Sequence, residues 1–316
     1  MIDDRLVARI AELFYIQEVS QYEIARRFDF STAKVCRLIK EAKKREIIEF
    51  KIKKFDKRFI ELESEVEKKY RIKEVIIYYN SDTKDYDEDI LFQKVGSLAA
   101  EYFRRIIKDD LNIALVWGKT LYHFVNNIKS EKKHNVKVFS TLGGANLIPP
   151  EYQNNNMVQM LSERVGGSAY LIYLPLVFEN PIEELLKKES NIEEFLGSTS
   201  KIDYYFHGVG TVSEKARLYP HHGFDQGFLK SLWDKKIVGE VGFNFFDING
   251  NFIKTELDDR SIKLNSDQIK KIKTKVAIVC GKDKINPLIG YLNTGFCDVL
   301  ITDSETAFSV IDNKVI

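Results

Sequence analysis

The chain has 316 residues, of which 44% are hydrophobic and 30% charged. That balance excludes global disorder and, at roughly 100–200 residues per domain, predicts about two domains. Lysine and arginine number 48 against 47 aspartate and glutamate, for a net charge of +1. A polyanionic partner would therefore have to be held by a local patch and not by the field of the whole molecule. Three cysteines are too few for a disulfide framework, which predicts a reducing compartment. No apolar run approaches the ~20 residues of a spanning helix, and the opening MIDDRLVARIAELF lacks an apolar signal core. The expectation is a cytoplasmic protein without a membrane partner.

The charge is unevenly spread. Residues 1–60 hold 15 basic and 10 acidic side chains, a net of +5, which leaves −4 for the remainder. In this head, Leu6, Ile10, Leu13 and Phe14 recur at helical spacing. Ser20-Gln-Tyr-Glu23 then fits a capping box that opens a second helix, with Tyr22, Ile24, Ala25 and Phe28 as its apolar faces. Asp29-Phe30 is a tight connection, and Ser31 caps a third helix with Val35, Leu38, Ile39 and Ala42 inside. Ala25 is small where two helices must cross closely. This is the pattern of a helix-turn-helix, whose last helix enters the major groove of DNA. Gln21, Ser31, Thr32, Lys34, Arg37 and Lys40 are the candidate DNA contacts, since short polar and basic side chains reach phosphates and base edges there. Cys36 reads as an ordinary small residue. The alternating stretch 47–53 is expected to form a strand of a small wing. The domain reading is a DNA-binding head over 1–54, a linker helix over 55–70 and a larger body over 71–316.

In the linker, Phe59, Leu62, Val66 and Tyr70 give a narrow apolar stripe that suits either a dimer contact or packing on the body. Beyond it, strand signals at 74–79, 111–116, 136–141, 169–174, 204–208, 276–280 and 299–301 alternate with helix signals at 93–107, 120–128, 157–165, 181–188, 227–235 and 286–292. Such alternation predicts a mostly parallel α/β sheet covered by helices. Asp247-Ile-Asn-Gly250 reads as the turn of an antiparallel inset between 241–246 and 251–255.

Four strands run into turns rich in glycine and polar residues, at 116–120, 141–146, 207–211 and 280–284. Ligands of open α/β sheets bind beyond the carboxyl ends of strands, and a helix N-terminus after a glycine turn favours anions. Lys119, Thr120, Asn146, Thr211 and Lys284 add side-chain donors to these turns. A pocket for an anionic small molecule is expected.

The ordered set of motifs resembles the SorC family of bacterial transcriptional regulators over essentially the whole chain. It comprises VWGKTL (116–121), STLGGAN (140–146), HGVGT (207–211), VGEVGFNFFDINGN (238–251), VCGKDK (279–284) and LITDSETA (300–307), with the head matching at 11–15, 20–28 and 35–42. The resemblance implies a winged-helix-like head and an effector domain similar to the sugar-phosphate isomerase and CoA-transferase fold. It implies a homo-oligomer, dimer or tetramer, that binds a double-stranded DNA operator and answers to a phosphorylated sugar. Carried over, Trp117, Gly118, Lys119, Thr120 and Gly208 would line the effector pocket, and Gly143, Gly144, Ala145 and Asn146 would hold the phosphate. Glu240 would meet sugar hydroxyls and Lys284 the ligand. Phe243 and Asn244 stand where the family commonly has glycine and arginine, which is expected to reshape the cavity.

Other chemistry fits less well. Lys284 as a Schiff-base former needs a lowered pKa, whereas an ammonium contact needs none. The five histidines have no zinc-type spacing with the cysteines. Asp303 reads as a helix cap, with acid/base work as the alternative. Neither a metal nor a cofactor is expected, and the chain is read as a regulator and not an enzyme. The competing reading is a sugar-phosphate isomerase-like enzyme carrying a DNA-binding head; a body that only oligomerises is a third.

Overall fold

The computed structural model describes residues 3–50, 57–79, 87–129, 132–145, 149–182, 201–213 and 226–312. The chain divides into two compact units, Met1–Lys57 and Arg58–Ile316.

The first unit holds three helices, α1 (Asp4–Tyr15), α2 (Gln21–Phe28) and α3 (Thr32–Lys44). Its core is built from Val7, Ile10, Ala11 and Leu13 of α1, Ile24 and Ala25 of α2, and Val35, Leu38, Ile39 and Ala42 of α3. Asp29 closes α2 in the left-handed region at φ 52°, a conformation that aspartate tolerates better than most residues. Phe30 N–H then donates to the Ala25 carbonyl at 2.9 Å, which fixes the sharp turn into α3. Ala25 is buried to 5% exposure, as the close crossing of α2 and α3 requires. Two expectations change. Tyr22 does not join the core but is 70% exposed. Residues 47–50 form no strand, and 51–53, the rest of the expected wing, lie outside the described residues.

The second unit opens with α4 (Lys57–Tyr70), β1 (Glu74–Tyr78) and α5 (Glu88–Ile106). There follow β2 (Asn112–Leu115), α6 (Lys119–Asn127), β3 (Lys137–Ser140), α7 (Asn154–Val165) and β4 (Ser168–Tyr170). Next come β5 (Tyr204–His207), β6 (Gly210–Thr211), α8 (Gln226–Asp234), β7 (Ile237–Val241) and β8 (Asn244–Asp247). The last elements are α9 (Ser266–Lys271), β9 (Thr274–Ile278), α10 (Ile285–Asn293), β10 (Val299–Asp303) and α11 (Ser304–Ile311).

Among the described residues seven strands form one sheet in the order β1-β10-β9-β5-β2-β3-β4, and every pairing is parallel. Strands covered on both faces read as continuous apolar runs; all five residues of β10 are buried. The seven correspond to the seven strand signals of the sequence. Of the expected helices, the one at 181–188 falls largely outside the described residues.

A second, antiparallel sheet runs β6-β7-β8. Its hairpin differs from the expected one. The reversal between β7 and β8 is Gly242-Phe243, with φ of 52° and 64°, as a two-residue hairpin turn demands. The Asp247–Gly250 turn is present, with Gly250 N–H donating to the Asp247 carbonyl at 3.1 Å, but it leads only to an isolated Phe246–Phe252 bridge.

The stripe of α4 packs on the body: Leu62 and Val66 are buried in its core. At the sheet margin, Ile77 N–H donates to Glu63 Oε1 and Val75 N–H to Glu67 Oε1, both at 3.0 Å. Lys69 Nζ donates to the carbonyls of Val310 (2.9 Å) and Ile311 (2.8 Å), anchoring the end of α4 to the end of α11. Among the described residues no helix is long and apolar enough to cross a membrane.

Candidate functional site

The carboxyl ends of β2, β5 and β9, neighbours in the middle of the sheet, open into a cavity of about 830 Å³. That is the size of a small-molecule site. Its wall holds Trp117, Gly118, Lys119, Thr120, Gly208, Glu240 and Lys284. The structure thus brings together seven of the expected effector residues from four separate segments.

Each segment delivers its residues for a local reason. Gly118 has φ 137°, a conformation closed to L side chains. It starts α6 without a side-chain cap, so the first-turn amides and the positive end of the helix dipole face the cavity. Gly281, at φ 105°, makes the equivalent bend after β9. Its N–H is held by Asp303 Oδ2 (3.1 Å) and Thr306 Oγ1 (3.2 Å), and this turn presents Asp283 and Lys284. Asp303 also accepts from Thr306 N–H at 2.9 Å, so it caps α11 as expected. Behind Gly208, buried His207 bridges Tyr291 Oη (2.8 Å, through Nε2) and the Gly208 carbonyl (3.0 Å, through Nδ1). Burial holds its imidazole down at about 4. It is therefore neutral, with Nδ1–H donating to Gly208 and Nε2 accepting from the tyrosine.

The two lysines differ. Lys119 is committed to Asp89, 3.0 Å away, and lies 5.6 Å from the Phe92 ring centre. Lys284 lies 3.7 Å from Asp283 Oδ2, its one ion pair among the described residues, and its side chain is a quarter exposed. Thr120 Oγ1 sits 3.9 Å from Cys280 Sγ, whose thiol burial pushes far up, so this cysteine is not a nucleophile at neutral pH.

Glu240 is buried at 7% exposure. Its Oε2 accepts from Phe243 N–H at 2.6 Å, and its carboxylate packs on Gly210, where any Cβ would collide with it. Burial raises its pKa, and the Phe243 N–H, Lys284 and Lys263 offset only part of that rise.

The described part of the expected phosphate loop stands apart from this cavity. Gly143, Gly144 and Ala145 are not part of the cavity wall among the described residues. Gly143 N–H donates to the Ile262 carbonyl (2.9 Å) and Gly144 N–H to the Leu174 carbonyl (2.7 Å), so those amides are spent on bridging neighbouring segments. Ala145 is buried, and its carbonyl accepts from Gln153 Nε2 at 3.1 Å. Asn146 lies outside the described residues, as do His221 and His222. Phe243 and Asn244 also lie outside that wall. Phe243 points into the core, 5.4 Å from Phe245. Asn244 Nδ2 donates to the carbonyls of Val241, Gly242 and Leu264 at 2.9–3.1 Å.

Sequence reasoning missed Lys263. It is buried, yet all three ammonium hydrogens are placed: on the Phe243 carbonyl (2.8 Å), Asn244 Oδ1 (3.2 Å) and Asp258 Oδ1 (2.7 Å). Nothing in its local sequence marks it. Among the described residues no cluster of histidine, cysteine, aspartate and glutamate could hold a metal ion.

In the head, Ser31 Oγ accepts from Lys34 N–H at 3.2 Å and so caps α3, its O–H remaining available as a donor. Lys34 Nζ rests 3.4 Å from the Phe30 ring centre. Thr32, Arg37 and Lys40 are exposed on α3, and Gln21 is half-buried at the start of α2. Arg45 is paired with Asp4 (2.8 Å) and Glu41 (3.1 Å).

A family model described as "Putative sugar-binding domain" matches residues 56–312. The deoxyribonucleoside regulator of Bacillus subtilis (strain 168) is 25% identical over 310 residues, spanning 98% of each chain. The full-length sorbitol operon regulator SorC from Klebsiella pneumoniae has the same fold, with a TM-score of 0.75 at 20% identity over 97% of this chain and 98% of that one. A transcriptional regulator from Streptococcus pneumoniae TIGR4 reaches 0.75 at 27% identity over 82% and 99%.

Proposed function

The chain belongs to the sugar-binding domain family of SorC-type regulators, and from that premise we propose that it is a DNA-binding transcriptional regulator controlled by a phosphorylated sugar. The observation that carries the reading is the makeup of one cavity. An uncapped helix N-terminus and Lys284 supply a cationic pole, and Glu240 supplies a buried acceptor for hydroxyls. A phosphorylated polyol needs both kinds of partner. With the Gly143–Gly144 amides occupied, the phosphate falls to the first turn of α6 and to Lys284.

The three-helix head supports operator binding through α3, whose exposed cations are Arg37, Lys40, Lys43 and Lys44. Effector binding would bias the spacing of paired heads in a dimer or tetramer, and so operator affinity. The cavity reads as a sensor and not a catalytic centre, because one Glu240 oxygen is tied to the Phe243 amide. A cytoplasmic location follows from that role.

The test is a thermal-shift screen of pentose and hexose phosphates beside the same sugars without phosphate. A phosphorylated sugar should raise the melting temperature and change the affinity for the operator, and Lys284→Gln should abolish the shift. Stabilisation by no sugar phosphate, or turnover of one, would reject this reading.

A further inference from the structure

We propose that Lys263 is a positioning residue for the cavity carboxylate Glu240, acting through the Phe243 peptide and through its own buried charge. The inference rests on the effector reading only for its biological consequence.

Phe243 is the second residue of the hairpin turn and sits at φ 64°, a conformation unfavourable for a bulky side chain. Its backbone is held at both ends. The N–H donates to Glu240 Oε2 at 2.6 Å, and the carbonyl accepts from Lys263 Nζ at 2.8 Å. One residue thus links the carboxylate in the cavity wall to an ammonium group behind it. Lys263 is held from its far side by Asp258 at 2.7 Å, whose Oδ2 accepts from Thr255 N–H at 2.7 Å. The row Glu240, Phe243, Lys263, Asp258 therefore runs from the cavity into the segment that bridges to Leu142 and Val177.

The charges follow the same row. Two cations act on Glu240: Lys284 from the turn after β9, and Lys263 from behind the hairpin. Among the described residues the other titratable group beside it is the buried phenol of Tyr205 on β5, which is neutral. A buried carboxylate stays ionised only where cations and N–H donors offset its desolvation. Lys263 is the one of the two cations that no ligand in the cavity can draw away, because its three hydrogens are already placed. Its pull on the carboxylate therefore persists whether or not the cavity is filled.

A charge role and a merely structural one predict different outcomes. The full chain is labelled with 13C at the glutamate carboxyls, and the Glu240 resonance is identified by its loss in Glu240→Gln. Its titration midpoint is then followed in Lys263→Met, Lys263→Arg and Asp258→Asn. Lys263→Met should raise the midpoint by about one pH unit, a tenfold gain in proton affinity, and Lys263→Arg should restore it. Asp258→Asn should lower it, because the ammonium then answers to Glu240 alone. Either variant leaving the midpoint unmoved, or both moving it the same way, overturns the proposal. Should Lys263→Met fail to fold, Asp258→Asn decides alone: a lowered midpoint supports the proposal, and an unmoved or raised one sinks it. These titrations need no effector, so the failure of every sugar phosphate to bind would reject the function proposed above and leave this result standing.

Discussion

Ser20 and Glu23 hold each other at the start of α2: Glu23 N–H donates to Ser20 Oγ at 3.2 Å, and Ser20 N–H donates to Glu23 Oε2 at 3.3 Å. This reciprocal cap satisfies two backbone donors that the helix itself cannot. Ser20→Ala should cost about 1 kcal/mol of head stability. Amide hydrogen exchange across α2 in the full chain should accelerate accordingly, while the sheet amides stay unchanged.

The exposed cations of α3 predict a graded response to mutation. Arg37→Ala and Lys40→Ala should each weaken operator binding, by about 1–3 kcal/mol where a base contact is lost and with a salt slope reduced by about 1 where a phosphate contact is lost. Lys34→Ala should act differently, because its ammonium lies over the Phe30 ring; the loss is about 0.5–1 kcal/mol of head stability. Fluorescence anisotropy with operator DNA across a salt series, beside thermal melts, separates the two effects.

Much of this was legible from residue patterns. The strands were visible because a parallel strand covered on both faces is a continuous apolar run, as in β10. The cap of α2 was visible because its partners are three residues apart. The cavity followed from glycines at strand ends, and Gly118 and Gly281 do take conformations that need glycine. Long-range contacts are what local patterns do not carry. Gly143 and Gly144 look like a phosphate loop until Ile262 and Leu174 claim their amides from elsewhere in the chain. Asp247-Ile-Asn-Gly250 is the stronger local turn signal. The hairpin nevertheless reverses at Gly242-Phe243, because Glu240 and Lys263 hold the Phe243 peptide in place. Lys263 lies 20 residues from the carbonyl that it supports, a separation that no local pattern reveals.

The two adjacent glycines should respond oppositely to alanine. A Cβ on Gly143 would lie 2.5 Å from the Pro175 carbonyl oxygen and 2.7 Å from that of Leu174, both backbone atoms. At Gly144 the nearest atom is 3.8 Å away. Gly143→Ala should destabilise the body by about 1–3 kcal/mol, and Gly144→Ala should stay within about 0.5 kcal/mol of the parent. Denaturant unfolding of both variants checks the contrast.

His207 predicts a pH dependence. The folded imidazole titrates at about 4 because it is buried, whereas in the unfolded chain it titrates at about 6.5. Between those values the unfolded chain binds a proton that the folded chain refuses. Stability is therefore full above about pH 6.5 and falls as the pH drops toward 4, by up to about 3 kcal/mol. His207→Gln should flatten that part of the stability curve, measured by denaturant unfolding at a series of pH values.

The glutamates that α4 lends to the β1 margin also bear on assembly. Strand β1 is terminal in the sheet order, yet its outward amides at Val75 and Ile77 are already matched by Glu67 and Glu63. A terminal strand with unmatched amides invites another chain to extend the sheet. Here the Val75 and Ile77 amides are matched from within the same polypeptide, so neither is left to template an added strand along that rim.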